Sequence, residues 1–226
     1  MDRINTQEWL DTDSGTPAEV AASLRDLGRL NRWFGGVATT RAMLELVARR
    51  RGLTSLSLLE VAAGAGQVPL RVREQLGARG IRITVTLSDR ATSHLRRSGP
   101  QNGTHVVAAD ALALPFSGSS FDVVSSSLFA HHLPPERLVQ FASEALRVCR
   151  IAVLINDLVR HPVHLALVYA GLPLYRSRLT RHDAPASVRQ AYTATEMREL
   201  LEQAGAPRVE ILRRYLFRMG VVIWKA

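Results

Sequence analysis

From residue 55 onward the apolar and polar positions switch period in a repeating way. Ser55 to Val61 (SLSLLEV) is a short apolar run that ends at a glycine-rich turn. Ile81, Ile83, Val85 and Leu87 alternate with Arg82, Thr84, Thr86 and Ser88, the period of two that marks a strand. Thr104 to Ala108, Phe121 to Leu128 and Ile151 to Ile155 read as three more strands. Between them, Val68 to Leu76, Ala91 to Arg97 and Glu136 to Val148 read as helices. In the last of these, Leu138, Phe141, Ala142, Ala145 and Leu146 form one stripe behind a Pro134-Pro135 start signal. Strands and helices in alternation predict a parallel sheet covered on both faces.

The flanks have different patterns. Leu24, Leu27 and Leu30 mark one N-terminal helix and Met43, Leu44, Leu46 and Val47 another, with Trp33-Phe34-Gly35-Gly36 as the turn between them. Near the other end, Thr193 and Glu196 have capping-box spacing, and Met197, Leu200, Leu201 and Ala204 line one face before Gly205 and Pro207. Arg208 to Tyr215 and Phe217 to Trp224 then follow so closely that they must be antiparallel neighbours. Leu158 to Tyr192 is a non-strand insertion. The expected fold is α/β: a Rossmann-like, doubly wound, seven-stranded, mostly parallel sheet with an antiparallel last strand. The expected division is an N-terminal helical segment over 1–52 and a sheet domain over 53–226, with 158–192 as a lid-like insertion.

Composition narrows the class. The chain has 226 residues, 46% hydrophobic and 22% charged, which is ordinary globular usage. Cys149 is the only cysteine, so an internal disulfide framework is excluded and a reducing, cytoplasmic setting is expected. The polar start is unlike a secretory signal. The longest apolar run, Val163 to Tyr175, covers 13 residues, whereas a membrane span needs roughly 20. The net charge of +9 is almost entirely arginine, since Lys225 is the only lysine. Arg49-Arg50-Arg51 and Arg96-Arg97 are dispersed positions, and only Arg176, Arg178 and Arg181, with Arg160, gather in the insertion.

The turn after the first strand reads Glu60-Val61-Ala62-Ala63-Gly64-Ala65-Gly66-Gln67. Two glycines between strand and helix admit a ligand close to the backbone, and the helix start offers free N–H groups. A dinucleotide fingerprint would need a glycine where Pro69 stands, and a Walker loop would need a lysine. The remaining pattern is a strand-end carboxylate followed by glycines at the carboxyl edge of a doubly wound sheet, where such folds bind ligands.

This stretch resembles the first motif of the class I S-adenosylmethionine-dependent methyltransferases, (Asp/Glu)-x-Gly-x-Gly-x-Gly. Glu60, Gly64 and Gly66 match it, and Ala62 stands where the motif has its first glycine. Asp89 ends the second strand, where the family's acidic residue holds the ribose hydroxyls. Asp110-Ala111 follows the third, where the family reads the adenine edge. Leu114-Pro115-Phe116 and Ser120 to Val124 are similar to the family's passage into strand four. The resemblance implies S-adenosylmethionine as cofactor, held by Glu60, Ala62, Gly64, Gly66, Asp89, Arg90, Asp110, Ala111 and Ser127. Singly, each acidic residue reads equally well as a strand-end, turn or cap residue.

Methyl transfer from a sulfonium is an in-line displacement that asks for alignment, plus a base where the acceptor carries a proton. At the reactive edge this chain has Ser126-Ser127-Leu128-Phe129 rather than an (Asp/Asn)-Pro-Pro-Tyr motif, which disfavours methylation of nucleobase amino groups. Strand four ends in serines rather than acidic ligands, so no metal is expected, and Asp157 reads as a helix N-cap. His131 and His132 are the candidate bases, since an imidazole of pKa about 6.5 can take the proton of a phenol of pKa about 10. Packing of one and solvation of the other is the plain alternative. Asn156, Arg160, Tyr169, Tyr175 and Arg178 are candidate acceptor contacts. Trp9, Trp33 and Phe34 resemble the segment that closes the family's cofactor cleft, with core packing as the alternative.

The function expected is O-methylation of a small apolar acceptor of phenolic or polyketide type. An RNA methyltransferase and a non-catalytic, cofactor-binding or scaffolding subunit are the alternatives. No transmembrane segment is expected, while a peripheral contact with a lipophilic substrate and a homodimer stay open.

Overall fold

A computed structural model describes residues 1–12, 14–95 and 104–225. The order of elements is α1 (Pro17–Trp33), α2 (Gly36–Arg51), β1 (Ser55–Val61), α3 (Gln67–Gly77), β2 (Arg82–Asp89), α4 (Thr92–Leu95), β3 (Thr104–Ala108), β4 (Phe121–Ser127), α5 (Pro135–Val148), β5 (Cys149–Leu158), α6 (Pro162–Gly171), α7 (Arg178–Gln190), α8 (Ala194–Gln203), β6 (Arg208–Tyr215) and β7 (Arg218–Trp224). Arg96 and Arg97, expected in the helix after β2, lie outside the described residues.

The seven strands form one sheet in the order β3-β2-β1-β4-β5-β7-β6. β1 to β5 pair in parallel, and β7 runs antiparallel to both β5 and β6. Six strands therefore point one way and β7 the other. The strand order reverses at β1 and β4, so their carboxyl ends open a crevice. β1 and β3 have the limits expected for them, and β5 extends from the expected 151–155 to Cys149–Leu158.

Each face of the sheet has its own apolar layer. On one side Leu138, Phe141, Ala142 and Ala145 of α5 and Met197 and Leu201 of α8 pack on Val124, Val153, Ile155 and Val221. On the other, Met43, Leu44 and Val47 of α2 and Val68, Val72 and Leu76 of α3 pack on Leu58, Val85, Val123 and Leu154. α8 begins with the expected capping box, Thr193 accepting from the Glu196 N–H and Glu196 from the Thr193 N–H. α1 has a second, built on Thr16 and Glu19.

The N-terminal segment and the insertion are stitched to each other. Asp26 of α1 accepts from the backbone N–H groups of Arg176 and Ser177 at 2.9 and 3.0 Å. Asp183 of α7 accepts from the N–H groups of Trp9 and Leu10 at 2.9 and 3.0 Å. Both carboxylates are buried and satisfy backbone donors that would otherwise be stranded. Two separated stretches of sequence therefore form one roof over the crevice.

Candidate active site

Beneath that roof, at the carboxyl ends of the strands, lies a cavity of about 880 Å³, toward the upper end of ordinary ligand pockets. Its floor comes from β1, β2, β3 and β4. Glu60, Ala62, Gly64, Asp89, Arg90, Asp110, Ala111 and Ser127, eight of the nine expected cofactor residues, line it.

Gly66, the ninth, acts from behind. It caps α3 with φ +66°, and a Cβ there would stand 2.6 Å from Leu87 Cδ1. Glycine is therefore required both by the left-handed turn and by the close approach to β2. Gly64 takes φ +53° and gives its N–H to Asp89 Oδ2 at 2.7 Å. The other oxygen of Asp89 accepts from the Ala91 N–H at 2.8 Å. Asp89 thereby ties the β1 turn to the β2 turn while its carboxylate faces the cavity. Asp110 accepts from the Leu112 N–H, holding the corresponding turn after β3. Ala62 adopts φ +53°, so the position where the motif has glycine keeps glycine's left-handed conformation in spite of its side chain.

Glu60 is buried at the end of β1, with Ser125 of β4 directly opposite and donating to it. Burial disfavours its charged form more than Ser125 and Ser127 favour it, and the carboxyl is pushed up to about 7. The hydroxyl of Ser127, at the end of β4, is a second hydrogen-bonding neighbour of Glu60. A protonatable carboxylate with serine hydroxyls beside it and a ribose-type acceptor at Asp89 suit a ligand with an ammonium and a diol. They offer nothing specific to a phosphate. Leu128 also has a positive φ, +56°, at the exit of β4 in the cavity wall; strain of this kind concentrates at functional sites.

The expected catalytic histidines sit side by side in that wall, in a short 3-10 turn, with ring centroids 4.2 Å apart. Their environments differ. His131 is buried; Asp157 lies 2.6 Å from its Nδ1 and accepts its backbone N–H at 3.0 Å, while Glu8 stands 3.5 Å from Nε2. Burial alone would neutralise the ring, but Asp157 and Glu8 outweigh it, and the imidazole is pushed up to about 10. His131 is thus a cation between two carboxylates at neutral pH. His132 is partly exposed, with Asp11 Oδ2 2.8 Å from Nδ1 and Glu8 Oε2 3.9 Å from Nε2. Glu8, His131 and His132 bring potential ligand atoms within 4.8 Å of one another, the only such cluster among the described residues.

Asp157 is therefore no helix cap: it lies inside β5, and His161 caps α6. Asn156 is buried and committed, donating to the Gly36 carbonyl and Thr40 and accepting from Arg218. Arg160 is spent on the Met1 and Ala191 carbonyls and on Glu196. Arg178 pairs with Glu19, and Tyr169 takes a hydrogen bond from Arg189. Of the expected acceptor contacts only Tyr175 lines the cavity, its hydroxyl pushed upward by burial. Trp33 and Phe34 line the cavity and stand exposed rather than packed in the core. Glu8, Asp26 and Asp183 were not anticipated; each is a single acidic residue in a polar stretch, and no local spacing distinguishes it.

Known proteins match this picture. Residues 58–151 match the family described as a methyltransferase domain. Over 175 residues the chain is 25% identical to the ubiquinone/menaquinone biosynthesis C-methyltransferase UbiE of Rhizobium meliloti, covering 70% of this chain and 67% of that protein. Over 95 residues it is 30% identical to an uncharacterized protein of Haemophilus influenzae; the match spans 41% of this chain and only 38% of that relative. Among solved structures, the plantazolicin methyltransferase BpumL, in complex with a monoazolic desmethylPZN analog and SAH, superposes with a TM-score of 0.70 at 15% identity over 96% of this chain and 93% of that one. A SAM dependent methyltransferase from Aquifex aeolicus gives 0.59 at 17% identity, over 80% and 89% of the two chains.

The chain thus has the class I S-adenosylmethionine-dependent methyltransferase fold. Its residues 58–151 are similar to the methyltransferase domain family.

Proposed function

We propose that the protein binds S-adenosylmethionine and transfers its methyl group to an oxygen of a small apolar acceptor. The observation that carries this reading is the cavity floored by the glycine turn, Asp89 and Asp110, and roofed by Trp33, Phe34, Leu167, Val168 and Tyr175. When bound, the cofactor supplies an electrophilic methyl on a sulfonium. Glu60 and the Gly64 turn face its amino-acid end, Asp89 its ribose and the Asp110-Ala111 turn its adenine. The apolar roof excludes water from the acceptor side, and transfer is driven by alignment.

His132 is the base in this reading. Asp11 Oδ2, 2.8 Å from Nδ1, orients the ring in the cavity wall. His131, already protonated, serves to place His132 and to hold the N-terminal segment through Glu8. The relative in Rhizobium meliloti is a C-methyltransferase by name, which favours carbon as the second reading of the acceptor atom. Several arginines are committed to ion pairs, Arg50 with Glu210, Arg79 with Glu45, Arg147 with Glu144 and Arg178 with Glu19, and the rest are dispersed rather than gathered in a stripe for RNA.

Two measurements test this. Calorimetric titration with S-adenosylhomocysteine should give saturable binding; none in the folded protein sinks the methyltransferase reading and leaves a scaffolding role. Assay of phenolic and polyketide-like compounds with methyl-deuterated cofactor, followed by mass spectrometry of products, should show an O-linked label. A label retained on carbon selects the second reading. His132→Ala should lower turnover with cofactor affinity unchanged.

A further inference from the structure

α6 is an apolar helix that buries nothing: none of its ten residues, PVHLALVYAG, is buried. A helix packed on a core shows a buried stripe; α6 shows none and is tied down through His164, which stacks on Phe217 and lies 3.1 Å from the Val159 carbonyl. The short turn that follows carries Leu174 into solvent, and the β6–β7 connection does the same with Leu216. Leu167, Leu174 and Leu216, with Trp33 and Phe34 at the end of α1, are 50% to 80% exposed, and all five line the one cavity. They therefore form a rim around its mouth rather than scattered surface residues.

The insertion's share of that rim carries charge of one sign. Residues 158–182 contain no aspartate or glutamate. Arg176 follows Leu174 by two residues and is exposed, as is Arg213, three before Leu216. Exposed Arg32 lies beside Trp33, its guanidinium 5.9 Å from the ring centroid. Large apolar and indole side chains ringed by arginines match the chemistry of the bilayer interface, where the apolar groups enter the acyl boundary and the guanidinium groups meet anionic headgroups. No helix among the described residues is long and apolar enough to cross a membrane.

We propose that this rim docks the protein on an anionic lipid bilayer, so that the cavity mouth opens against the lipid and a lipophilic acceptor enters from it. The inference deepens the reading of a small apolar acceptor by naming where that acceptor waits. Charge complementarity selects the anionic bilayer over a second copy, because two copies would bring like-charged rims together.

The test uses the full chain without cofactor, pelleted with vesicles of phosphatidylcholine alone or mixed with phosphatidylglycerol. Binding to the mixed vesicles is expected, weaker on phosphatidylcholine and falling with added salt. Leu167→Glu with Leu174→Glu should weaken binding at least about tenfold while circular dichroism and the thermal midpoint stay unchanged. The emission of Trp33 should move to the blue on binding, a change lost in Trp33→Phe. Equal pelleting of the double variant, or no binding to either vesicle, overturns the proposal. So does a solution dimer that Leu174→Glu dissociates. None of these readouts depends on methyl transfer, so failed docking leaves the proposed reaction standing, and failed transfer leaves docking standing.

Discussion

Asp157 holds His131 at two points, 2.6 Å from the imidazole Nδ1 and 3.0 Å from the backbone N–H that it accepts. Both side chains are almost wholly buried. Removing one partner of such a pair leaves an uncompensated charge in a dry place, which costs about 3 kcal/mol or more. Asp157→Asn is therefore expected to lower unfolding stability by that amount in urea titrations. Asp11→Asn breaks the half-exposed contact to His132 and should cost less than about 1 kcal/mol. Similar losses in the two variants would show that burial does not separate the roles of the two histidines.

Glu60 supplies a pH dependence of known sign. Its carboxyl is pushed from 4.5 up to about 7 by burial in the folded state. A raised carboxyl stabilises the fold while both states hold the proton, below pH 4.5, and this contribution fades as pH rises through 7. The wild type should thus lose about 3 kcal/mol between those limits relative to Glu60→Gln, whose amide does not titrate. Parallel stability curves for the two proteins from pH 4.5 to 8 would rule the shift out. Because a cofactor ammonium favours the carboxylate, binding near neutral pH should also release a proton, visible as a heat that depends on the buffer.

The Ala62 departure from the glycine motif makes its own prediction. A left-handed alanine costs roughly 1–2 kcal/mol, partly offset because glycine adds freedom to the unfolded chain. Ala62→Gly should therefore raise stability by about 0.5–1 kcal/mol and leave cofactor binding intact. Destabilisation in thermal unfolding would mean that the alanine methyl makes a contact worth more than the strain.

Asp89 joins two turns and faces the cavity. Asp89→Ala should weaken S-adenosylhomocysteine binding by about 1.5–3 kcal/mol, the usual worth of hydrogen bonds to a charged group. Affinity that does not change on calorimetry takes Asp89 out of the cofactor site.

What was legible follows from the range of the interactions. The strands and the capped helix are set by neighbouring residues, through period two and through the Thr193–Glu196 box, so their limits were readable to within a residue or two. β5 was read short because Arg150 and Asp157 interrupt an apolar run that continues in register with β7. The cavity floor was readable because its residues sit at strand ends, which the pattern locates. The roof was not. Asp26 meets residues 150 positions away, and Asp183 meets residues 173 and 174 positions away, and no local spacing announces such pairings. For the same reason Arg160 and Asn156, chosen for their chemistry, turned out to be committed to backbone and neighbours.

The stitched roof also bears on how such a protein can change. The groups that floor the cavity come from β1 to β4, whereas its cover comes from the N-terminal helical segment and the insertion and is joined to itself through Asp26 and Asp183. Substitutions in the cover can remodel what is accepted while the floor stays fixed, provided that Asp26 and Asp183 keep their backbone partners. New acceptor preferences can then be grafted by exchanging the two stretches together, whereas exchanging either alone would strand a buried carboxylate.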